Sequence, residues 1–351
     1  MSKLIHVSKA LPRHTLDLEE IRRYAHIAGA RWGRNPEVLL RIINNAEVGT
    51  RQSIMPLEEI VREKTFKERN DLFIKYSIEL GSRAVERCLE ETGRRPEDID
   101  LFITVSCTGF MIPSVDSFIM ERLGFRRDCR RLPITELGCA AGAVALSRAD
   151  DFIRGYPDAH VLILAHEFPS VTFQLDDANM AHVVSAIIFG DGVACALVGP
   201  SEGEGPLSLL GSRSYLFPDS SHYMGFDVDG LGFHIILDKC VPNRVRDTIR
   251  EQVEAFGALH GIGIGDLRFY ALHTAGRKVL NYMEDELGIS PEMTRATWHV
   301  LKHHGNMSSV SVLYVLKSLL EDFPPQANDL GMIMAFGPGF SAELLLARWE
   351  G

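Results

Sequence analysis

Five short apolar runs, each bounded by polar or glycine positions, punctuate the chain: Leu101–Ser106, His160–Ala165, Ala194–Val198, Arg268–Leu272 and Gly331–Phe336. Continuous runs of this length are how strands buried on both faces read. Helix-length amphipathic stretches lie between them, at Asp71–Thr92, Ala140–Arg154, Asn243–His260 and Val310–Asp322. The alternation predicts an α/β fold with layered sheets. A Gly/Pro/Glu stretch at Pro200–Pro206 reads as a weak linker, dividing the chain into residues 1–203 and 204–351. The first sixty or so residues read as helical and charged. They hold the densest basic region, with Arg22, Arg23, Arg31, Arg34, Arg41 and Arg51, either a solvated helical face or a patch for an anion.

Composition narrows the function. At 351 residues the chain is long for one simple core, so two domains or one duplicated domain are expected. Hydrophobic residues at 46% and charged residues at 24% exclude wholesale disorder and coiled-coil architecture. A net charge of −10 with no long Lys/Arg run argues against nucleic acid as partner. No run of apolar residues is long enough for a membrane span, and MSKLIHVSKALPRH lacks the apolar core of a secretory signal. Cys88, Cys107, Cys129, Cys139, Cys195 and Cys240 are scattered, with no CxxC pair. Neither a metal site nor a disulfide framework is expected, and a reducing cytoplasm fits best.

Several constellations bear chemistry. In LPITELGCAAGAVALSRA, Cys139 stands at the start of an Ala/Gly-rich helix. The positive helix end and nearby N–H groups would lower a thiol's pKa, and small neighbours leave room for an acyl group. A buried structural cysteine is the alternative. His273 ends an apolar strand in FYALHTAGRK, placed to act on a substrate or simply hydrogen-bonded. Asn306 lies in LKHHGNMSS, a turn whose amide reads as a turn residue or as a pocket group. The adjacent His303 and His304 read as surface histidines. AFGPGFS and IIFGDGVA are glycine-bracketed turns. No GxxxxGK[ST] is present and no GxGxxG follows a strand, so phosphate-loop and dinucleotide readings lack support.

GCAAGA, the strand end at His273, GNMSS and FGPG occur in one order along nearly the whole chain. In this the sequence resembles the type III polyketide synthases, the chalcone synthase-like branch of the thiolase superfamily. VSCTGFMIPS brings it nearest to the bacterial enzymes making tetrahydroxynaphthalene, phloroglucinol derivatives and alkylpyrones. The resemblance implies a thiolase-like five-layered αβαβα fold of two similar halves, the first carrying Cys139, the second His273 and Asn306. It also implies a homodimer, malonyl-CoA and acyl-CoA substrates, and no metal or bound organic cofactor. Cys139 matches the nucleophile that takes the starter acyl group; His273 and Asn306 match the pair that promotes decarboxylation and stabilises the oxyanion. Phe189 and Phe233 match the gate between CoA tunnel and cavity. Thr172, Cys107, Met224, Ser308 and the Gly337–Pro338–Gly339 turn match cavity positions. Met224 stands where chalcone synthases have glycine, which counts against a bulky aromatic starter. Ile112 matches the residue that reaches into the partner subunit's cavity. Arg41 matches a cation meeting the CoA phosphates; Arg51, close in sequence, and Ala275 and Gly276 are further expected CoA contacts. Val38 and Asn45 stand where plant enzymes carry lysines. The rival is a ketoacyl synthase III-like enzyme using carrier-protein-bound substrate; a thiolase would need a second cysteine after Cys240.

Overall fold

The computed structural model describes residues 1–351. Thirteen strands form: β1 (Ser2–Lys9), β2 (His14–Leu16), β3 (Arg51–Ser53), β4 (Leu101–Val105), β5 (Arg130–Ile134), β6 (Val161–Glu167), β7 (Gly192–Pro200), β8 (Leu207–Leu216), β9 (Met224–Asp229), β10 (Gly232–Leu237), β11 (Leu267–Leu272), β12 (Leu330–Gly337) and β13 (Ser341–Trp349). Nine of them join in the order β11-β12-β13-β8-β1-β7-β6-β4-β5. The sheet is two half-sheets, β5-β4-β6-β7-β1 and β8-β13-β12-β11. They are stitched by only three residue pairs, Ser2–Leu4 against Leu207–Leu209. Pro200–Pro206 is the turn that carries the chain from one half-sheet to the other.

Strand alternation sorts side chains between two cores. Along β7, Val193, Cys195 and Leu197 face outward, while Ala194, Ala196 and Val198 face inward; β12 does the same with Met332 and Met334 against Ile333 and Ala335. The inner faces close on a central layer of two helices, Ala141–Gly155 and Ser311–Glu321, each touching strands of both half-sheets. Outside lie the long helix Phe66–Thr92 against β1, β6 and β7, and, on the other flank, the paired helices Val241–Ala258 and Arg277–Leu287. The five layers expected from the resemblance are therefore present. The central layer also explains the Ala/Gly composition after Cys139: a Cβ on Gly142 would lie 2.2 Å from the Ser309 carbonyl oxygen.

All five expected strands and four expected helices occur, with ends shifted by a few residues. The reading of the first sixty residues as helical needs correction. Helices Leu18–Trp32 and Pro36–Asn45 form, but β1 runs through the middle of the sheet. Its polar positions hid it: Ser2 is buried with its hydroxyl donating to Asp150 (2.9 Å), and Ser8 is buried beside Glu91. Two of the six arginines of this region are paired on the surface, Arg23 with Glu58 and Arg31 with Glu63 and Asp176. No helix is long and apolar enough to cross a membrane.

Candidate active site

The site lies where the two halves meet. Cys139 sits in a tight turn, Gly138–Ala140, directly ahead of the central helix Ala141–Gly155. Gly138 adopts φ +48°, and a Cβ there would meet Pro338 Cδ at 2.7 Å. A Cβ on Gly337 would lie 2.4 Å from the Leu137 oxygen and 2.9 Å from the Ala140 nitrogen. The Gly337–Pro338–Gly339 turn thus buttresses the cysteine turn from the second half. This corrects its expected role: Pro338 borders the cavity, but Gly337 and Gly339 do not.

His273 follows the end of β11, fixed by its N–H donating to the Met334 oxygen (2.8 Å) and its carbonyl accepting from Ala275 (2.7 Å). The next residue, Thr274, donates its hydroxyl to the Gly305 oxygen (3.0 Å) and shares a second hydrogen bond with the Ser311 hydroxyl (2.9 Å). Those bonds bind the strand end to the Gly305–Asn306 turn. Gly305 allows the approach, since a Cβ would meet the Ile188 oxygen at 2.4 Å. Backbone bonds between Asn306 and Ile188 (2.8 Å) and between Gly190 and Asn306 (2.9 Å) complete the clamp, with Phe189 paired opposite Asn306. The Asn306 Oδ1 accepts from the Ser308 N–H at 2.8 Å. That bond fixes the amide's sense, so its NH₂ is the end presented as a donor.

The electrostatics are those of a dry pocket. Burial alone pushes His273 down to about 3, so its imidazole is neutral at physiological pH; its Nδ1 is buried without a partner. Burial pushes Cys139 up to about 12, against the opposing effect of the Ser308 hydroxyl, which its thiol meets at 3.5 Å. The helix-start effect expected from sequence does not win here. The site holds a neutral thiol and a neutral imidazole on one cavity, because desolvation penalises both charged forms.

A second network, unread in the sequence, underlies Cys139. Ser308 also lies 3.5 Å from the Cys107 thiol. Beneath them Glu167, wholly buried at the end of β6, accepts from the Cys107 N–H (3.1 Å), Thr108 (2.9 Å), Ser106 (3.3 Å) and Ser309 (2.5 Å). Burial raises the Glu167 pKa against these donors, and burial followed by that carboxylate raises the Cys107 thiol further.

These groups open on one cavity of about 1140 Å³. Phe189, Phe233, Cys107, Thr172, Met224 and Ser308 line it with Cys139, His273 and Asn306. Phe233 sits in an aromatic group, 5.3 Å from Phe110 and 5.7 Å from Phe66 between ring centroids. The Thr172 hydroxyl bonds its own turn, donating to the Pro169 oxygen (2.9 Å). Ile112 is 100% exposed on its loop, outside this chain's cavity. Arg41, Ala275 and Gly276 border the mouth, joined by Lys239, Arg277 and Lys278, which the sequence reading missed. Arg51 needs correction as a phosphate contact: it is 4% exposed, and its guanidinium donates to the Ile187 oxygen beside Asp191. His304 likewise is no surface residue; it packs on Tyr314 and bonds Gln52 (2.5 Å).

Cys139 at a helix start shares one cavity with His273 and Asn306 of the opposite half of a five-layered α/β fold, the layering of the thiolase-like class. Residues 4–202 match the family described as chalcone and stilbene synthases, N-terminal domain, and residues 209–349 match the C-terminal domain of the same family. The chain belongs to the chalcone and stilbene synthase family; it is a type III polyketide synthase, an acyltransferase. It is 33% identical to 1,3,6,8-tetrahydroxynaphthalene synthase of Streptomyces coelicolor, over 100% of this chain and 93% of that protein. The crystal structure of that enzyme superposes with a TM-score of 0.94, covering 99% of both chains. Phloroglucinol synthase of Pseudomonas fluorescens is 34% identical over 88% of each chain. Pks18 of Mycobacterium tuberculosis, named for alpha-pyrone synthesis, is 29% identical over 88% of this chain and 82% of its own.

Proposed function

We propose that this synthase extends a thioester held on Cys139 with units from malonyl-CoA, then releases the chain by ring closure to a pyrone or a phenol. The observation that carries the reading is the pairing of His273 and Asn306. Loss of CO₂ from a malonyl thioester leaves an enolate whose oxygen needs donors already in place. Asn306 offers an amide NH₂ whose sense is fixed by Ser308, and His273 is a neutral imidazole, able to donate without delivering a full proton. The enolate carbon then attacks the acyl thioester, Cys139 leaves as thiolate, and the extended chain returns to Cys139. On loading, Cys139 passes its proton to His273 and attacks the acyl-CoA thioester, and CoA leaves as a thiolate that takes up that proton.

Phe189 and Phe233 would separate the CoA passage from the cavity, with Cys107, Thr172, Met224 and Ser308 shaping the chain. Arg41 with Lys239 and Lys278 would meet the CoA phosphates, a local basic rim on an acidic protein. The reaction as written calls for no metal and no bound organic cofactor. The two halves, residues 1–203 and 204–351, each supply one side of the site. All six cysteines are free, and a reducing cytoplasm would keep Cys139 and Cys107 as thiols.

Mass spectrometry of products from malonyl-CoA, alone and with a panel of acyl-CoA esters, tests the reading. Cys139→Ala is expected to abolish condensation. Asn306→Ala is expected to slow malonyl-CoA decarboxylation by a factor of about 10²–10³, the usual loss for one oxyanion donor. Condensation persisting in the cysteine variant would refute the assignment; activity only with carrier-bound acyl groups would favour the ketoacyl synthase reading instead.

We also propose a homodimer in which Ile112 reaches the partner's cavity. Ile112 is fully exposed, and Phe110 and Phe118 are exposed near it, an apolar patch that water covers poorly. Ile112→Asp is expected to raise the dimer dissociation constant at least tenfold; sedimentation showing an unchanged dimer would remove this residue from the interface.

A further inference from the structure

Eight buried side-chain polar atoms in the molecule have no hydrogen-bond partner, and four of them belong to residues that line the cavity: Tyr24 Oη, His182 Nε2, Ser185 Oγ and His273 Nδ1. His273 is accounted for by the chemistry above. The other three form a group of their own. Tyr24 lies on helix Leu18–Trp32, while His182 and Ser185 share one face of helix Met180–Ile188, three residues apart. The Phe173 ring joins them, 5.5 Å from Tyr24 and 4.9 Å from His182 between centroids, and Trp32 lies 6.1 Å from each. The face continues from Ser185 to Phe189, which pairs with Asn306. His182 and Ser185 therefore lie on the helix that runs into the Phe189–Asn306 pair.

Buried hydroxyls without partners are uncommon in folded proteins, because each loses its bonds to water and gains nothing. Tyr24, His182 and Ser185 are 3%, 4% and 7% exposed. Two hydroxyls and one imidazole kept neutral, with its pKa pushed down to about 4 by burial, suit an uncharged oxygen as ligand. Two arginines act on the cluster, Arg51 on Tyr24 and Arg69 on His182, and each guanidinium is engaged by a main-chain oxygen, of Ile187 and Phe173 respectively, which disfavours an anion here. Leu16, Leu57 and Ile60 supply an apolar remainder to the same wall. Arg41, Lys239 and Lys278 border the same cavity but are not among the charged groups that act on Tyr24 or His182.

We propose that Tyr24, His182 and Ser185 form a subsite for a neutral oxygen carried on the acyl chain, so that the enzyme selects hydroxy- or oxo-acyl groups over plain alkyl chains of equal length. This rests on the polyketide synthase reading for the presence of an acyl thioester. The test measures binding without turnover. Calorimetry on the Cys139→Ala protein compares ω-hydroxyalkanoyl-CoA with alkanoyl-CoA esters of graded chain length. At the matching length the hydroxy ester is expected to bind about tenfold more tightly, the effect of one added hydrogen bond at 1.4 kcal/mol per factor of ten. Adding Tyr24→Phe and Ser185→Ala should erase that difference and leave free CoA and malonyl-CoA binding unchanged.

Equal affinity for the two series at every length would overturn the proposal. So would a uniform loss of affinity for all CoA esters in the variant, which would make the cluster a contact for the pantetheine arm. Because the two hydroxyls make no hydrogen bond to the protein, removing them should leave the unfolding midpoint unchanged or raise it. A fall of several degrees would make the role structural and equally overturn it. Wild-type product formation from any free CoA ester, measured alongside, tests the polyketide synthase reading separately from the subsite.

Discussion

Glu167 is the residue whose surroundings say most about how this pocket is held. It accepts from two serine hydroxyls, a threonine hydroxyl, a thiol and a backbone N–H contributed by two separate segments, Ser106–Thr108 and Ser309. A carboxylate can do this because it is all acceptor; an amide cannot. Glu167→Gln would turn an NH₂ toward groups that are themselves donors. The expected loss of stability is about 1–3 kcal/mol, the cost of leaving buried polar groups unmatched, read by denaturant unfolding. Nothing local in the sequence revealed this residue. A glutamate after HVLILAH reads as a strand running out to solvent, and its partners are distant in the chain. Cys139, His273 and Asn306 were legible because each stands at a glycine-marked turn or a strand end. The state of Cys139 was not. The helix start was visible in the sequence, but the depth of burial that raises the thiol was not.

At the scale of elements, the central helices are set by contact between backbones rather than between side chains. Gly142 lies against the Ser309 carbonyl, and Gly337 against the turn that carries Cys139. The two glycines should respond differently to a methyl group. Gly142→Ala must push apart the two central helices, and overpacking there is expected to cost about 3 kcal/mol. Gly337→Ala moves the cysteine turn, so activity should fall further than stability; comparing the unfolding midpoint with the rate of Cys139 acylation separates the two. Strand legibility follows the same packing. Strands between helix layers, such as β4 and β6, are apolar on both faces and announce themselves. β1 carries buried serines bonded to Asp150 and Glu91, and β8 alternates half-buried and exposed positions from Leu210 onward, so neither shows an unbroken apolar run.

The whole molecule carries a pH dependence that belongs to no single site. Burial holds His166 and His182 at about 4, and His273 and His304 at about 3, all well below the ordinary histidine value. Their stabilising contribution is complete above about pH 6.5 and is lost as pH falls toward those values, since only the unfolded chain takes up the protons. Asp191 works in the opposite sense. Burial raises it to about 6, so the native state retains a proton that the unfolded chain releases above about pH 4. The four histidines act against the raised carboxyls of Asp191, Glu167 and Glu343, and stability is expected to fall as pH drops from 7 to 5. Guanidinium unfolding at pH 7 and pH 5 checks this; a flat or inverted dependence would contradict it.

The seam between β1 and β8 has a practical corollary. The covalent link across it, from Pro200 to Pro206, is a short surface turn, whereas the noncovalent link is the central helix layer shared by both half-sheets. The peptide bond is therefore the weaker part of the connection. Residues 1–203 and 204–351 produced as separate chains should each aggregate, exposing the inner faces of β6 and β7 or of β12 and β13. Produced together, they should complement one another into a soluble heterodimeric protomer in which Cys139 on one polypeptide reacts beside His273 and Asn306 on the other.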